Sequence, residues 1–176
     1  LEQLASHKGS AFGSIKMPPQ PSQEMFENLL ALELTDRFGS NRSIWLEDES
    51  QRIGNLNIPG AFWDKMRKTP VVFLEIEFEE RLNHLVEEYG IDDRPKLMDC
   101  VVRISKRLGG LETKNALAFL EEGNTREAFR ILLQYYDKRY AKALHNREGL
   151  LTLLTKIPCE TVTPQNAAVL VKHQPV

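Results

Sequence analysis

The two halves of the 176-residue chain differ in how their hydrophobic positions repeat. In the first half, short apolar runs at residues 44–46 and 71–78 are typical of buried strands, because they are rich in β-branched and aromatic residues. Helical spacing predicts one helix over 23–37, after the capping residue Ser22, and a shorter one within 57–70. The first half therefore alternates strands with helices.

Helical spacing continues through nearly all of the second half. It predicts helices over 79–89, from Asp93 to the Gly109–Gly110 pair, over 113–122 and from Thr125 to about Lys142. Near the end, residues 159–163 predict a short edge strand before a helix over 164–172. We therefore expect an α/β chain with two regions: a partial parallel sheet in 1–78 and a mainly α-helical region in 79–176.

Composition narrows the class of protein. The net charge is −2 and 41% of residues are hydrophobic, as in ordinary globular domains. No apolar run approaches the ~20 residues of a membrane span, and no signal peptide is visible, so we expect a cytoplasmic protein without a membrane partner. Cys100 and Cys159 form no metal-ligand pattern, so we expect reduced thiols and no structural metal. The start at Leu1, without methionine, predicts a piece of a longer protein.

The stretch HKGSAFGS, residues 7–14, carries Gly9 and Gly13 after a histidine and a lysine. A P-loop has its lysine after the glycines, in the order GxxxxGK[ST], so that backbone N–H groups and the lysine surround the phosphates. Lys8 precedes both glycines, and no GK[ST] occurs in the chain. The stretch is therefore not a Walker A loop, and a structural turn explains it as well as one wall of a phosphate site does.

Three consecutive acids, Glu47, Asp48 and Glu49, follow the first predicted strand. Ligands of open α/β sheets bind beyond the carboxyl ends of the strands, where a carboxylate can hold magnesium or its water. Arg52 comes soon after, and its guanidinium suits phosphate oxygens. A solvated charged turn is the alternative interpretation, and the spacing does not say which acid would be the ligand.

Basic and aromatic residues interleave around the end of the last long predicted helix. Such a surface can hold RNA phosphates while a tyrosine stacks on an unpaired base. The candidates for RNA contact are Tyr135, Lys138, Arg139, Lys142 and Arg147. Phe129, Leu133, Tyr136 and Tyr140 share one helical face, so at least two of the aromatic residues are predicted to lie in the core.

Three stretches in this order, LEQLASHKGSAFG, QPSQEMFEN and IWLEDESQRIGNLNIP, resemble the bacterial tRNA 2-selenouridine synthase family. The resemblance covers residues 1 to about 70 well and the helical remainder more loosely. It implies an enzyme that replaces the sulfur of wobble 2-thiouridine in tRNA by selenium through an S-geranyl intermediate. Its implied substrates are selenophosphate and geranyl diphosphate, and its implied fold here is the C-terminal part of a P-loop domain.

The same resemblance implies partners that lie outside this sequence. The family's catalytic cysteine belongs to an N-terminal rhodanese-like domain, and its Walker A segment precedes the region that this chain matches. Neither Cys100 nor Cys159 takes the place of that cysteine, so the catalytic residue is not expected in this chain. We expect the piece alone to be inactive and to work with tRNA and the missing N-terminal segments.

Residues at positions that match the family's motifs are expected to belong to its binding site, although the match does not assign a role to each of them. The expected phosphate-binding or substrate-binding residues are His7, Lys8, Gly9, Ser10, Gly13, Gln20, Gln23 and Arg52. Lys8 stands where arginine is more usual in the family. Glu47, Asp48 and Glu49 match the acidic segment and are the candidates for placing magnesium or its water. Two alternatives stay open: a P-loop phosphotransferase that uses a nucleotide, and a non-catalytic RNA-binding helical module.

Overall fold

The computed structural model describes residues 1–38, 43–90 and 93–172. Contacts within the chain divide it into two compact units, Leu1–Thr69 and Pro70–Val176. The sequence predicted a division after residue 78, whereas these units divide before Pro70. The reason is that the strand over 71–76 pairs with a segment near the end of the chain.

The described part of the first unit contains three helices and a short hairpin. These are α1 (Glu2–Ala5), α2 (Gln23–Phe38), β1 (Arg52–Ile53), β2 (Leu56–Asn57) and α3 (Gly60–Met66). α2 begins after Ser22, whose hydroxyl accepts from the Met25 N–H at 3.2 Å, so the predicted helix and its cap are confirmed. The two strands are antiparallel, with Ile53 opposite Leu56.

The core of the first unit lies between α2 and the hairpin. Phe26 and Leu30 of α2 belong to one buried cluster with Ile53, Leu56 and Ile58, and each of these five side chains is at most 4% exposed. Full burial of side chains of this size stabilises a fold by about 1.5–3 kcal/mol each relative to exposure. The hairpin is therefore fixed against α2 by its apolar side chains as well as by its turn.

The strand predicted over residues 44–46 is wrong, because residues 43–50 run without any strand pairing. Leu46 packs at the edge of the buried cluster, while Trp45 stays partly exposed. A three-residue apolar run can bury one side chain at the rim of a core without joining a sheet. The acids at 47–49 consequently do not stand at the end of a strand.

The second unit combines one small sheet with a set of helices. β3 (Val71–Ile76) lies parallel to β4 (Leu154–Cys159), with Val71 opposite Leu154. The helices are α4 (Phe78–Tyr89), α5 (Arg94–Leu108), α6 (Gly110–Glu121), α7 (Thr125–His145), α8 (Leu150–Leu153) and α9 (Asn166–Lys172). The chain is thus mixed α/β, with a small parallel sheet and a mainly helical remainder, as predicted. In the parts of the chain that the structure describes, no helix has both the length and the apolar character needed to cross a membrane.

Two details of the predicted sheet are corrected. Only β3 of the parallel pair lies within residues 1–78, and the strands of the first unit are antiparallel to each other. The edge strand predicted over 159–163 is wrong as well, because β4 ends at Cys159, where that strand was to begin. A parallel pair needs a long crossover, and here α4 to α8 lie between the two strands, so no local signal announces the pairing.

Arg81 of α4 ties β3 to α7 in the second unit. Its Nε donates to the carbonyl oxygen of Ile76 at 3.0 Å, at the end of β3. Its Nη1 and Nη2 donate to the two carboxylate oxygens of Asp137, at 2.6 and 3.0 Å. This bidentate pair is a strong form of arginine–carboxylate hydrogen bonding. It fixes α4 against α7 at one end of the sheet.

We expect Arg81→Lys to lower the free energy of unfolding of the second unit by about 1–2 kcal/mol, because an ammonium cannot make the forked contact and also reach Ile76. Urea unfolding followed by far-UV circular dichroism measures the change. Arg103→Lys on the exposed side of α5 is the matched control. Equal losses in the two variants would contradict the role given to Arg81.

Candidate functional site

Residues 7–14 form a closed turn that satisfies much of its own backbone. The Lys8 N–H donates to the Gly13 carbonyl at 2.9 Å, and the Gly13 N–H donates to the Ser10 carbonyl at 2.9 Å. The Ser10 hydroxyl accepts from the Phe12 N–H at 3.1 Å. Because these N–H groups are used within the turn, they are not available to surround a phosphate as P-loop N–H groups are. The interpretation as a structural turn is therefore favoured.

His7 is turned inward and joins this turn to the hairpin. Its side chain is buried, and within the described ranges its Nδ1 has no hydrogen-bond partner. The ring fills the space of two missing side chains, because a Cβ on Gly13 would lie 2.6 Å from Cε1 and a Cβ on Gly54 would lie 2.8 Å from Cδ2. Burial lowers the pKa of the imidazole. The lowered pKa favours the neutral form of the ring, which packs between the two glycines.

Gln20 uses its side-chain amide to hold the hairpin against α1. Its Nε2 donates to the carbonyl of Ala5 at 3.0 Å and to the carbonyl of Ile53 at 3.1 Å. Its Oε1 accepts from the Asn55 N–H at 2.8 Å. Gly54 closes the turn between these partners with φ of 62°, a conformation that glycine adopts without strain. Gln20 thus stands in a scaffold position.

Gln23, at the start of α2, holds the other strand of the hairpin. Its Oε1 accepts from the Asn57 N–H at 2.9 Å, and its Nε2 donates to the Asn57 carbonyl at 2.8 Å. The same Nε2 also donates to the Glu27 carboxylate at 2.6 Å. The side chain therefore pairs with Asn57 much as the backbone of a neighbouring strand would.

We expect Gln20→Met to lower the free energy of unfolding of the first unit by about 2–3 kcal/mol, since the change leaves backbone carbonyl and N–H groups unpaired. Both tryptophans, Trp45 and Trp63, lie in this unit, so their fluorescence in urea reports its unfolding. Gln134→Met, on the exposed side of α7, is the control. An unchanged fluorescence midpoint for Gln20→Met would refute the scaffold role.

The acidic segment forms a carboxyl cluster with Glu2 of α1. The Glu47 carboxylate accepts from the backbone nitrogen of Leu1 at 2.9 Å. Glu49 lies against Gly9, where a Cβ would be 2.7 Å from Oε1. Burial, a hydrogen bond with Glu2 and repulsion from Glu2 and Glu47 raise the pKa of Glu49 to about 7.

The side chains of this cluster do not by themselves form a complete magnesium site. Magnesium takes ionised oxygen ligands in a nearly octahedral arrangement, and the raised pKa of Glu49 disfavours its ionised form below neutral pH. Among residues 1–38, 43–90 and 93–172, no group of three or more histidine, cysteine, aspartate or glutamate side chains is placed to hold a metal. The role of Glu47, Asp48 and Glu49 in placing magnesium or its water, where substrate oxygens would complete the coordination, stays a prediction.

Arg52 is the predicted phosphate contact that points away from the fold. Its Nε donates to the Gly54 carbonyl at 2.9 Å, which anchors the base of the guanidinium to the hairpin turn. The side chain is exposed, and in the described part of the chain its Nη groups have no protein partner. The packing of His7 on Gly54 brings the Lys8 segment beside this turn. Arg52 is therefore a cationic group that the hairpin presents to solvent, and Lys8 lies in the neighbouring turn.

We expect Glu49→Gln to make the stability of the first unit less dependent on pH. The pKa of the native carboxyl is about 7 in the fold and about 4.3 in an unfolded chain. Its stabilising contribution is therefore complete below pH ~4.3 and is lost as the pH rises through 7. Relative to the native chain, the variant should gain about 1 kcal/mol between pH 5 and pH 8, a figure reduced for partial exposure of the carboxyl.

Tryptophan fluorescence in urea at the two pH values measures this gain. Glu24→Gln, an exposed position in the first turn of α2, is the control and should leave the pH dependence of the native chain in place. Parallel pH dependences for the native chain and Glu49→Gln would contradict the burial of a protonated carboxyl at this position.

A second candidate surface lies on the C-terminal half of α7. Lys138, Arg139 and Lys142 are exposed there, and Tyr135 is half-buried on the same helical face. The Arg139 guanidinium carbon lies 5.9 Å from the centroid of the Tyr135 ring. Arg147 does not belong to this surface, because it follows the helix and is only 4% exposed. The structure thus brings four of the predicted residues together and leaves Arg147 apart.

Other basic and aromatic residues of α7 have different surroundings. Phe129 and Leu133 are buried, as the helical pattern predicts, but Tyr140 is 57% exposed, contrary to its predicted place on the core face. Arg126 and Arg130 both donate to the carboxylate of Glu79 on α4. The basic side chains of α7 that are not bound to Glu79 therefore lie towards the C-terminus of the helix.

Sequence reasoning missed a polar cavity of about 370 Å³ in the second unit. Its walls include Glu80 and Asn83 of α4, Arg126 of α7 and Thr161, which follows β4. Arg126 donates to Asn83 Oδ1 at 2.7 Å, which fixes the guanidinium at the wall. Two of its lining residues, Glu80 and Thr161, come soon after the carboxyl ends of β3 and β4 in the chain, and parallel sheets bind ligands beyond those ends. The sequence could not indicate this cavity, because recognising the ends of the paired strands requires β4, which the sequence did not predict.

Comparison with known proteins identifies the family. The family model described as the tRNA 2-selenouridine synthase AAA domain matches residues 1–156. The chain belongs to the tRNA 2-selenouridine synthase family. The resemblance found in the three sequence stretches is therefore confirmed.

Curated relatives of the same name give the extent of the similarity. The tRNA 2-selenouridine synthase of Cupriavidus pinatubonensis is 33% identical over 171 residues, which cover 80% of this chain and 46% of the relative. That of Hahella chejuensis is 36% identical over 177 residues, with 84% and 46% covered. That of Shewanella denitrificans is 43% identical over 110 residues, with 62% and 29% covered. The chain thus spans about half the length of these relatives or less. No solved structure matches it.

Proposed function

We propose that this chain is part of an enzyme that converts the wobble 2-thiouridine of tRNA into 2-selenouridine. The observation that carries the proposal is the family match over residues 1–156. The enzyme uses geranyl diphosphate to form an S-geranyl intermediate and selenophosphate to supply selenium. A rhodanese-like domain with the catalytic cysteine and the Walker A segment of a P-loop domain belong to the longer protein, which acts in the cytoplasm. The piece alone is inactive.

Both small substrates are phosphorus-containing anions, so the first unit must offer cations with fixed positions. Arg52 offers the Nη edge of its guanidinium, and its Nε is anchored on the Gly54 carbonyl. An arginine with one anchored nitrogen loses little further freedom when it binds a phosphate. Lys8 supplies a second charge from the neighbouring turn. The raised pKa of Glu49, which lies beside Gly9, reduces the negative charge near the anion at and below neutral pH.

The proposal uses the other matched residues as a scaffold for this site. Gln20 and Gln23 hold the hairpin that carries Arg52. His7 holds the turn that carries Lys8 against that hairpin. Ser10, Gly9 and Gly13 close the turn, and no step of the proposal passes through a magnesium ion held by the acidic segment. The exposed face of α7, with Tyr135, Lys138, Arg139 and Lys142, contacts the tRNA.

We expect Lys8→Ala and Arg52→Ala, each made in the full-length enzyme, to raise the KM for geranyl diphosphate or for selenophosphate about tenfold, which corresponds to ~1.4 kcal/mol of lost phosphate binding. Steady-state assays with each substrate varied in turn measure the effect.

Lys65→Ala, on the exposed side of α3, is the control for loss of a lysine from the same unit. Tryptophan fluorescence in urea shows whether each variant keeps its fold. Unchanged kinetics for both Lys8→Ala and Arg52→Ala would remove the phosphate-binding assignment. The family match would not depend on that result.

A further inference from the structure

The side chains of Tyr135 and Arg139 form a cation–π pair one helical turn apart on α7. The guanidinium carbon lies 5.9 Å from the centroid of the ring, within the range of a cation–π contact. Tyr136 meets the Tyr135 ring edge to face, with 5.1 Å between centroids. The Tyr135 ring is therefore in contact with both Arg139 and Tyr136, and Arg139 is the exposed residue of the three.

The N–H donors of the Arg139 guanidinium are available to bind a ligand. The residue is exposed, and in the described ranges no carboxylate or carbonyl accepts from it. Arg126 and Arg130, on the same helix, are in contrast both bound to Glu79. A cation–π contact restrains the position of a guanidinium without using its N–H donors. Arg139 is thus a planar cation that is held in place while its donors remain open.

We propose that Arg139, held by Tyr135, is the platform on which α7 stacks an unpaired base of the tRNA. Unpaired bases in RNA stack on arginine planes as well as on aromatic rings. Lys138 and Lys142 flank the platform at a rise of about 6 Å from each other along the helix axis, where they bind phosphates on either side of the stacked nucleotide. The inference rests on the proposed function, because it takes tRNA as the partner of this helix face.

Equilibrium binding of the unmodified substrate tRNA to the full-length enzyme, repeated over a series of salt concentrations, tests the inference. Arg139→Lys keeps the charge and removes the plane, so we expect about tenfold weaker binding at every salt concentration, with the salt slope of the native enzyme. Tyr135→Leu should weaken binding in the same manner because the plane loses its support. Tyr135→Phe should bind like the native enzyme, since the ring is kept.

Lys142→Ala separates the inference from the proposed function. Loss of one phosphate contact should reduce the slope of log K against log salt by about 1. If Lys142→Ala has this effect but Arg139→Lys binds like the native enzyme, the platform is refuted and the tRNA contact of α7 stands. If Arg139→Lys weakens binding but Tyr135→Leu does not, the positioning role of Tyr135 is refuted. If no variant alters tRNA binding, the assignment of this face to tRNA fails as a whole.

Discussion

The side-chain amide of Gln20 is the interaction on which the first unit depends. Two-residue strands supply few ladder hydrogen bonds, and α1 has barely one turn, so backbone pairing alone cannot hold these segments together. Gln20 joins the Ala5 carbonyl of α1 to Ile53 and Asn55 of the hairpin through hydrogen bonds of 2.8–3.1 Å. An amide side chain can do this because it donates and accepts as a backbone peptide does.

Because the hairpin depends on side-chain hydrogen bonds, the residues that carry the family resemblance fall into two groups. One group holds the hairpin in place, and the other is presented by it. Gln20, Gln23 and His7 face the hairpin and keep it in place. Arg52 is carried outward by the same hairpin, with its base anchored on Gly54. The glycines of the turn around Lys8 make room for buried side chains and do not build a backbone cradle. The candidate phosphate site is thus a rigid hairpin that presents a guanidinium.

The helices could be predicted from the sequence and most strands could not. α5 and α7 are long enough for a 3.6-residue period to emerge, whereas the run at 44–46 is too short to distinguish a strand from a rim contact. β4 has a partner that lies far away in sequence, so only the fold reveals it. The Gly54–Asn55 turn between Ile53 and Leu56 is a hairpin signal that the sequence does offer. The inward direction of His7 had no such signal, because it depends on tertiary contacts.

A count of basic residues overstates the positive charge that α7 presents to a ligand. Arg126 and Arg130 are held by Glu79, which belongs to α4 and is far away in sequence. In the C-terminal half of α7, the exposed lysine and arginine side chains are Lys138, Arg139 and Lys142. Because electrostatic affinity for RNA grows with the number of phosphates neutralised, so few cations give weak and salt-sensitive binding on their own. Stacking adds affinity that does not depend on charge, so a planar cation contributes more at this position than a further lysine would.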